Sequence, residues 1–264
     1  MTKSLNSAVC RLSLMLAAVF AICLAAPQAS MAALSGSGGW GTQSAHGEAG
    51  DVPLLIQNLD IKEIGRPDLP DIIVSYPSVG VGAIDADIEA WIRHIVYTFE
   101  RDCSEILKEA SGEGADVRCS LNSTYRVLRP SPAALSIVFE LWMDTGGVHP
   151  GLDVITLNYS LITEQRLAMV DIFEDTSRAL AVMSEYSREV LAAGVGGGRV
   201  DQMIAAGTEP VPENFANMAL IPGGVRVFFQ PYQVAPWSAG TQTVDIPLDK
   251  LRDARPLMAL WGLQ

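Results

Sequence analysis

The stretch FFQPYQVAPWSAGTQTVDIPLDKL, Phe228 to Leu251, decides how this chain is read. Two strand-like runs bracket it. Val225, Val227 and Phe229 alternate with Arg226, Phe228 and Gln230, and Val244, Ile246 and Leu248 alternate with Asp245 and Pro247. Pro231 and Pro236 fix the backbone between them and Gly240 frees it, so Tyr232 and Trp237 are expected on a rigid connection. PWSAG, 236–240, imitates the GxSxG nucleophile motif with proline for the first glycine. A nucleophile elbow opens a helix, whereas TQTVDIPL reads as strand, so Ser238 is expected to be a loop serine.

Outward from that segment, Asp71 to Val79 reads as a strand ending near Tyr76-Pro77. Ile84 to Ala110 is the clearest helix: Ile84, Ile88, Trp91, Ile92, Ile95, Phe99, Cys103 and Ile106 make one apolar stripe. Asp85, Asp87 and Glu89 occupy its start, where the positive end of the helix dipole favours them. Strands are expected at Ser123–Leu128, Ala134–Met143 and Val154–Leu161, with turns at Arg129-Pro130 and Gly146 to Gly151. Thr163 to Gln165 suits a hairpin turn before a strand from Arg166 to Val170. A second helix is expected from Thr176 to Ala192, with Leu180, Met183, Tyr186 and Val190 on one side. Gly194 to Asn214 reads as a long loop with room for a short helix. This order predicts an α+β fold: an antiparallel sheet packed with two main helices.

The N-terminus reads as an export signal. Lys3 and Arg11 precede an apolar run from Leu12 to Ala26, about fifteen residues against the roughly twenty of a membrane span. Cleavage fits after Ala32, giving a signal peptide at 1–32, a Gly/Ser-rich tether at 33–50 and a folded module at 51–264, with a sub-boundary possible near 163–166. No stable membrane span is then expected, and the location is periplasmic or secreted. Loss of the two basic residues Lys3 and Arg11 takes the net charge from −12 to −14. That balance excludes a nucleic-acid surface, which needs basic residues against phosphate, and is compatible with a basic protein partner. Of four cysteines, Cys10 and Cys23 leave with the signal. Cys103 and Cys119 remain, and in an oxidising compartment a disulfide between them is expected. Two buried thiols are the alternative.

Catalytic material is sparse. His46 lies in the tether, and His94 faces away from the apolar stripe of its helix. His149, in DTGGVHPGL, could accept a proton or bind a ligand beside Asp144, Thr145 and Asp153, or merely complete a turn set by Gly146, Gly147 and Pro150. Further metal ligands at suitable spacing are not visible, so no metal or cofactor is expected. GVGGGR, 194–199, fits neither phosphate-loop pattern.

FFQPYQVAPWSAG followed by VDIPL, 244–248, resembles the domain of unknown function found in the extracellular portion of RsiV-type lysozyme-sensing anti-sigma factors and ahead of the catalytic domain in PdaC-type peptidoglycan deacetylases. IVSYP (73–77), IDADI (84–88), GGVHP (146–150) and RLAMVDIF (166–173) match in the same order. The acidic metal-binding TFDDGP motif of the deacetylase domain does not occur in the sequence. The resemblance implies an α+β accessory module without catalysis, binding a cell-wall glycan or a basic wall hydrolase such as lysozyme. Tyr232, Trp237, His149 and Asp144 are then the ligand-binding candidates. The competing expectation is an envelope hydrolase using His149 with a nearby carboxylate or Ser238.

Overall fold

In a computed structural model, residues 54–264 are described except 67 and 113–116; the signal and tether expectations fall outside them. The apolar stripe of the first helix does what its spacing requires. Helix α1 (Gly82–Gly112) buries every residue of the stripe, from Ile84 to Ile106. Asp85 ties its start to the preceding strand, accepting from the backbone of Val79 at 2.6 Å and from the Ser78 hydroxyl at 2.9 Å. Asp87 faces the other way. It accepts from the Tyr159 hydroxyl and from Arg166 Nε, each at 2.8 Å, which pins the helix to the far strands. The two acidic residues of IDADI are thus structural bolts.

That helix lies on a six-stranded sheet: β1 (Gln57–Glu63), β2 (Asp71–Ser78), β3 (Ser120–Ser131), β4 (Ala134–Asp144), β5 (Gly151–Ser160) and β6 (Gln165–Arg166), in that spatial order. The α+β class holds, but the expectation of one antiparallel sheet does not. β2 and β3 run parallel, from Asp71 opposite Ser120 to Val74 opposite Ser123. Parallel neighbours need a long crossover, and α1 provides it. The other pairings are antiparallel.

Three local expectations also change. The turn expected at Arg129-Pro130 is a bulge within β3, with the register shifting between Leu128 and Ser131; a bulge tolerates the missing proline N–H. The strand expected at Arg166–Val170 is only the end of β6, followed by the short helix α2 (Met169–Ile172). Helix α3 (Thr176–Ala193), capped by the Asp175 carboxylate on Arg178 N, buries Leu180, Met183 and Leu191 but leaves Val190 exposed. Its buried Ser184 hydroxyl donates to the Thr208 carbonyl, beside helix α4 (Gln202–Gly207).

A second sheet, β7 (Met218–Ile221), β8 (Gly224–Phe229) and β9 (Gln242–Pro247), is antiparallel throughout. Val225, Val227, Phe229, Val244 and Ile246 pack with Leu180, Met183, Ile204 and Phe215. On the opposite face, Phe228 and Ala219 meet Val138 and Val154 of the first sheet. A buried polar staple joins the layers. Thr156 Oγ1 and Asn158 Nδ2 donate to the Met218 carbonyl at 2.9 and 2.8 Å, and Leu220 N donates to Ser136 Oγ at 2.8 Å. These bonds occupy β7 backbone groups that no strand pairs, groups that would be costly to bury unsatisfied.

Candidate functional site

The segment after β8 is held by its two glutamines. The Gln230 amide donates to the Val154 carbonyl at 2.5 Å and accepts from Val154 N at 2.8 Å. Gln233 accepts from Gln230 N at 2.9 Å and donates to the carbonyls of Gly207 and Asn214, each at 3.1 Å. Gly207 must be glycine for this approach, because a Cβ there would overlap the Gln233 carbonyl oxygen. Val234 and Ala235 are buried. The chain is therefore held on both sides of Pro231 and Tyr232.

Between those anchors the chain turns sharply, and Gln233 N donates back to the Gln230 carbonyl at 3.0 Å. Pro231 takes the second position of the turn and Tyr232 the third, with φ at 70°. A positive φ after proline is the pattern of a type II turn, where glycine or asparagine is usual. A tyrosine there costs on the order of 1 kcal/mol in backbone strain. The strain does not serve core packing, since the Tyr232 side chain is 58% exposed.

The ring lies beside Trp237, which opens a short 3₁₀ turn (Trp237–Ala239), with centroids 5.9 Å apart and planes 32° apart. Trp237 is half-buried and also stacks with His149, at 4.4 Å and 20°. His149 is exposed on the turn between β4 and β5. Its Nδ1 lies 3.0 Å from the Pro150 carbonyl; with the proton on Nδ1 that contact is a hydrogen bond and Nε2 is an acceptor. The structure thus brings together three candidates, Tyr232, Trp237 and His149, as one tier of rings at the surface. The Tyr232 ring does not pack inward.

The fourth candidate has other partners. Asp144 accepts from Gly146 N at 2.9 Å, closing the turn that carries His149. Gly146 has φ of 77°, and a Cβ there would press on Val117. The Asp144 charge also contributes to raising the Cys103 thiol, after hydrogen bonding to Cys119 and burial. Cys103 and Cys119 are both buried, unbonded thiols that interact with each other. Asp153 is half-buried, and burial raises its carboxyl above the ordinary value. Ser238 is exposed and makes no hydrogen bond with His149. Among the described residues no group of three or more His, Cys, Asp or Glu is arranged to hold a metal ion, and no helix is long and apolar enough to cross a membrane.

One feature that sequence reading misses is a cleft of about 190 Å³ between β1 and α1, lined by Ile61, Glu63, Arg93, Val96, Tyr97 and Glu100. Its walls come from an edge strand and a helix whose adjacency no local pattern encodes.

Comparison with known proteins agrees with this architecture. Residues 170–249, which span Tyr232 and Trp237 but not His149, match the family described as "Protein of unknown function (DUF3298)". The chain is 25% identical over 180 residues to the peptidoglycan-N-acetylmuramic acid deacetylase PdaC of Bacillus subtilis. The match covers 68% of this chain and only 38% of that protein. In fold, it is similar to a DUF3298 family protein from Pseudomonas aeruginosa (TM-score 0.61, 16% identity, 80% of this chain and 98% of the other). A DUF3298 family member from Bacteroides fragilis is also similar (TM-score 0.52, 15% identity, 76% and 93%). Residues 170–249 carry the DUF3298 signature, and the chain holds a PdaC-like domain of unknown function.

Proposed function

We propose that this chain is an exported, non-catalytic binding module of the cell envelope that recognises a wall glycan through Tyr232, Trp237 and His149. One observation carries this reading: an exposed tyrosine is held at a strained positive φ, on a doubly anchored turn, against a tryptophan–histidine stack. Flat apolar rings with polar edges suit the faces of sugar rings, and rigid anchoring keeps the ordering cost of binding low. The similarity to a peptidoglycan deacetylase supports the same substrate class. Among the described residues His149 bonds neither Ser238 nor a carboxylate, which favours binding over the hydrolase alternative, since acid–base work needs such a partner within about 3 Å.

A basic, lysozyme-like protein is the second reading, favoured by the net charge of −12. Co-sedimentation with purified peptidoglycan, beside capture on immobilised lysozyme, separates the two. Retention on peptidoglycan that Trp237→Ala abolishes supports the glycan. Capture by lysozyme alone, lost at moderate salt, supports the protein partner. Retention on neither sinks both.

A further inference from the structure

Strand β1 sits at the edge of the six-stranded sheet and pairs only with β2 among the described residues. Its outer row of backbone N–H and C=O groups is a template for another strand. Leu59 and Ile61 lie opposite Tyr76 and Val74, which places them on the face covered by α1. Asp60 and Lys62 lie on the opposite face. Leu59 is exposed, and the neighbouring Tyr97 on α1 is 63% exposed along the cleft. An exposed, partly apolar edge flanked by an aromatic is the kind of surface that proteins normally cover.

We propose that β1 pairs antiparallel with β1 of a second copy of this chain, forming a two-fold dimer with one continuous sheet. The charges select the register. A two-fold axis perpendicular to the sheet must place some residue opposite itself, because facing residues share a face. Centring on Asp60 or on Lys62 sets like charges directly opposite, which is destabilising. Centring on Ile61 sets Asp60 opposite Lys62 twice over, by symmetry, with Ile61 against Ile61 and Leu59 against Glu63. Centring on Leu59 forms no charge pair. Ile61 is therefore the register that the sequence QNLDIKE favours. Ser75 and Asn58 both bond Asp60 Oδ1, leaving Oδ2 for the lysine of the other copy. A lysine on an edge ordinarily repels incoming strands; here it fixes the register. The two α1 helices then flank the joint on one side, with both Tyr97 rings beside the seam.

Sedimentation velocity of the full chain across a concentration series tests this, with Lys62→Asp and the double swap Asp60→Lys/Lys62→Asp. The expected result is a concentration-dependent dimer. Lys62→Asp should weaken it by about tenfold or more, since two opposite-charge pairs become repulsive. The double swap should restore it, because each pair is regenerated with its sign reversed. Circular dichroism of the variants checks folding, and both substitutions lie on an exposed face. A chain that stays monomeric at all concentrations overturns the proposal and leaves the edge to a strand of some other protein. A dimer indifferent to Lys62→Asp, or one that the double swap fails to restore, overturns it equally.

Discussion

The Gln230 side chain reads both backbone groups of Val154, donating to its carbonyl at 2.5 Å and accepting from its N–H at 2.8 Å. This amide pair joins the connection carrying Tyr232 and Trp237 to β5, the strand that follows the His149 turn. It is why rings from distant parts of the sequence share one surface. Gln230→Ala should leave both Val154 groups without their partner and cost about 1–3 kcal/mol. A lowered urea midpoint at unchanged slope is the expected signature. Gln230→Glu should also destabilise, since it keeps the acceptor but loses the donor.

Tyr232 gives a test in which strain and contact oppose each other. Tyr232→Gly removes the left-handed penalty and should leave stability equal or higher by up to about 1 kcal/mol. Tyr232→Val should lower it by about 1 kcal/mol or more, because a β-branched residue tolerates positive φ poorly. Thermal unfolding of both variants checks this. A glycine variant clearly less stable than the parent would show that the ring contributes to packing.

Cys103 and Cys119 interact within the core, bridging α1 and the start of β3. In an oxidising compartment, exchange with a disulfide-bearing oxidant would join their sulfurs and pass two protons and two electrons to the oxidant. A chain produced in such a compartment should then be lighter by two hydrogens and have no thiol titratable under denaturing conditions at these positions. Cross-linking should contribute roughly 3 kcal/mol in the chain-entropy model. Intact-mass measurement with and without reductant decides; two alkylatable thiols in a chain produced in an oxidising compartment would contradict it.

Asp153 should make stability depend on pH. Burial raises its folded-state value above the ordinary 3.8. The folded protein therefore holds the proton more tightly than the unfolded chain. The resulting stabilisation is complete below the unfolded value and is lost as pH rises through the folded one. Asp153→Asn should raise the melting temperature at neutral pH, and the difference should vanish below about pH 4. An equal effect at both pH values would assign it to packing.

The elements with one buried face were legible in the sequence. The α1 stripe repeats at the helical period, and all its residues from Ile84 to Ile106 are buried. Phe228 was misleading for the complementary reason: β8 is buried on both faces, so alternation could not show that Phe228 packs on Val138 and Val154. The parallel pairing of β2 with β3 left no local mark, because strand direction is set by the crossover rather than by the residues that pair. In the site, Tyr232 and Trp237 stood out by their proline-fixed setting. The stack with His149 did not, since it depends on where two separate turns meet. The glutamines of QPYQ were visible as polar residues, but their partners Val154, Gly207 and Asn214 are known only from the fold.

The most direct test is calorimetric titration of the protein with soluble glycan strands released from peptidoglycan, comparing the parent with Tyr232→Gly and Trp237→Ala. Recognition by the ring tier predicts saturable binding by the parent. It should be about fivefold or more weaker in Tyr232→Gly, whose fold is undiminished, and weaker still in Trp237→Ala, which removes the ring shared by both stacks, since each lost ring contact removes about 1 kcal/mol or more. Binding that survives Tyr232→Gly and Trp237→Ala at full strength, or no binding by the parent, would contradict it.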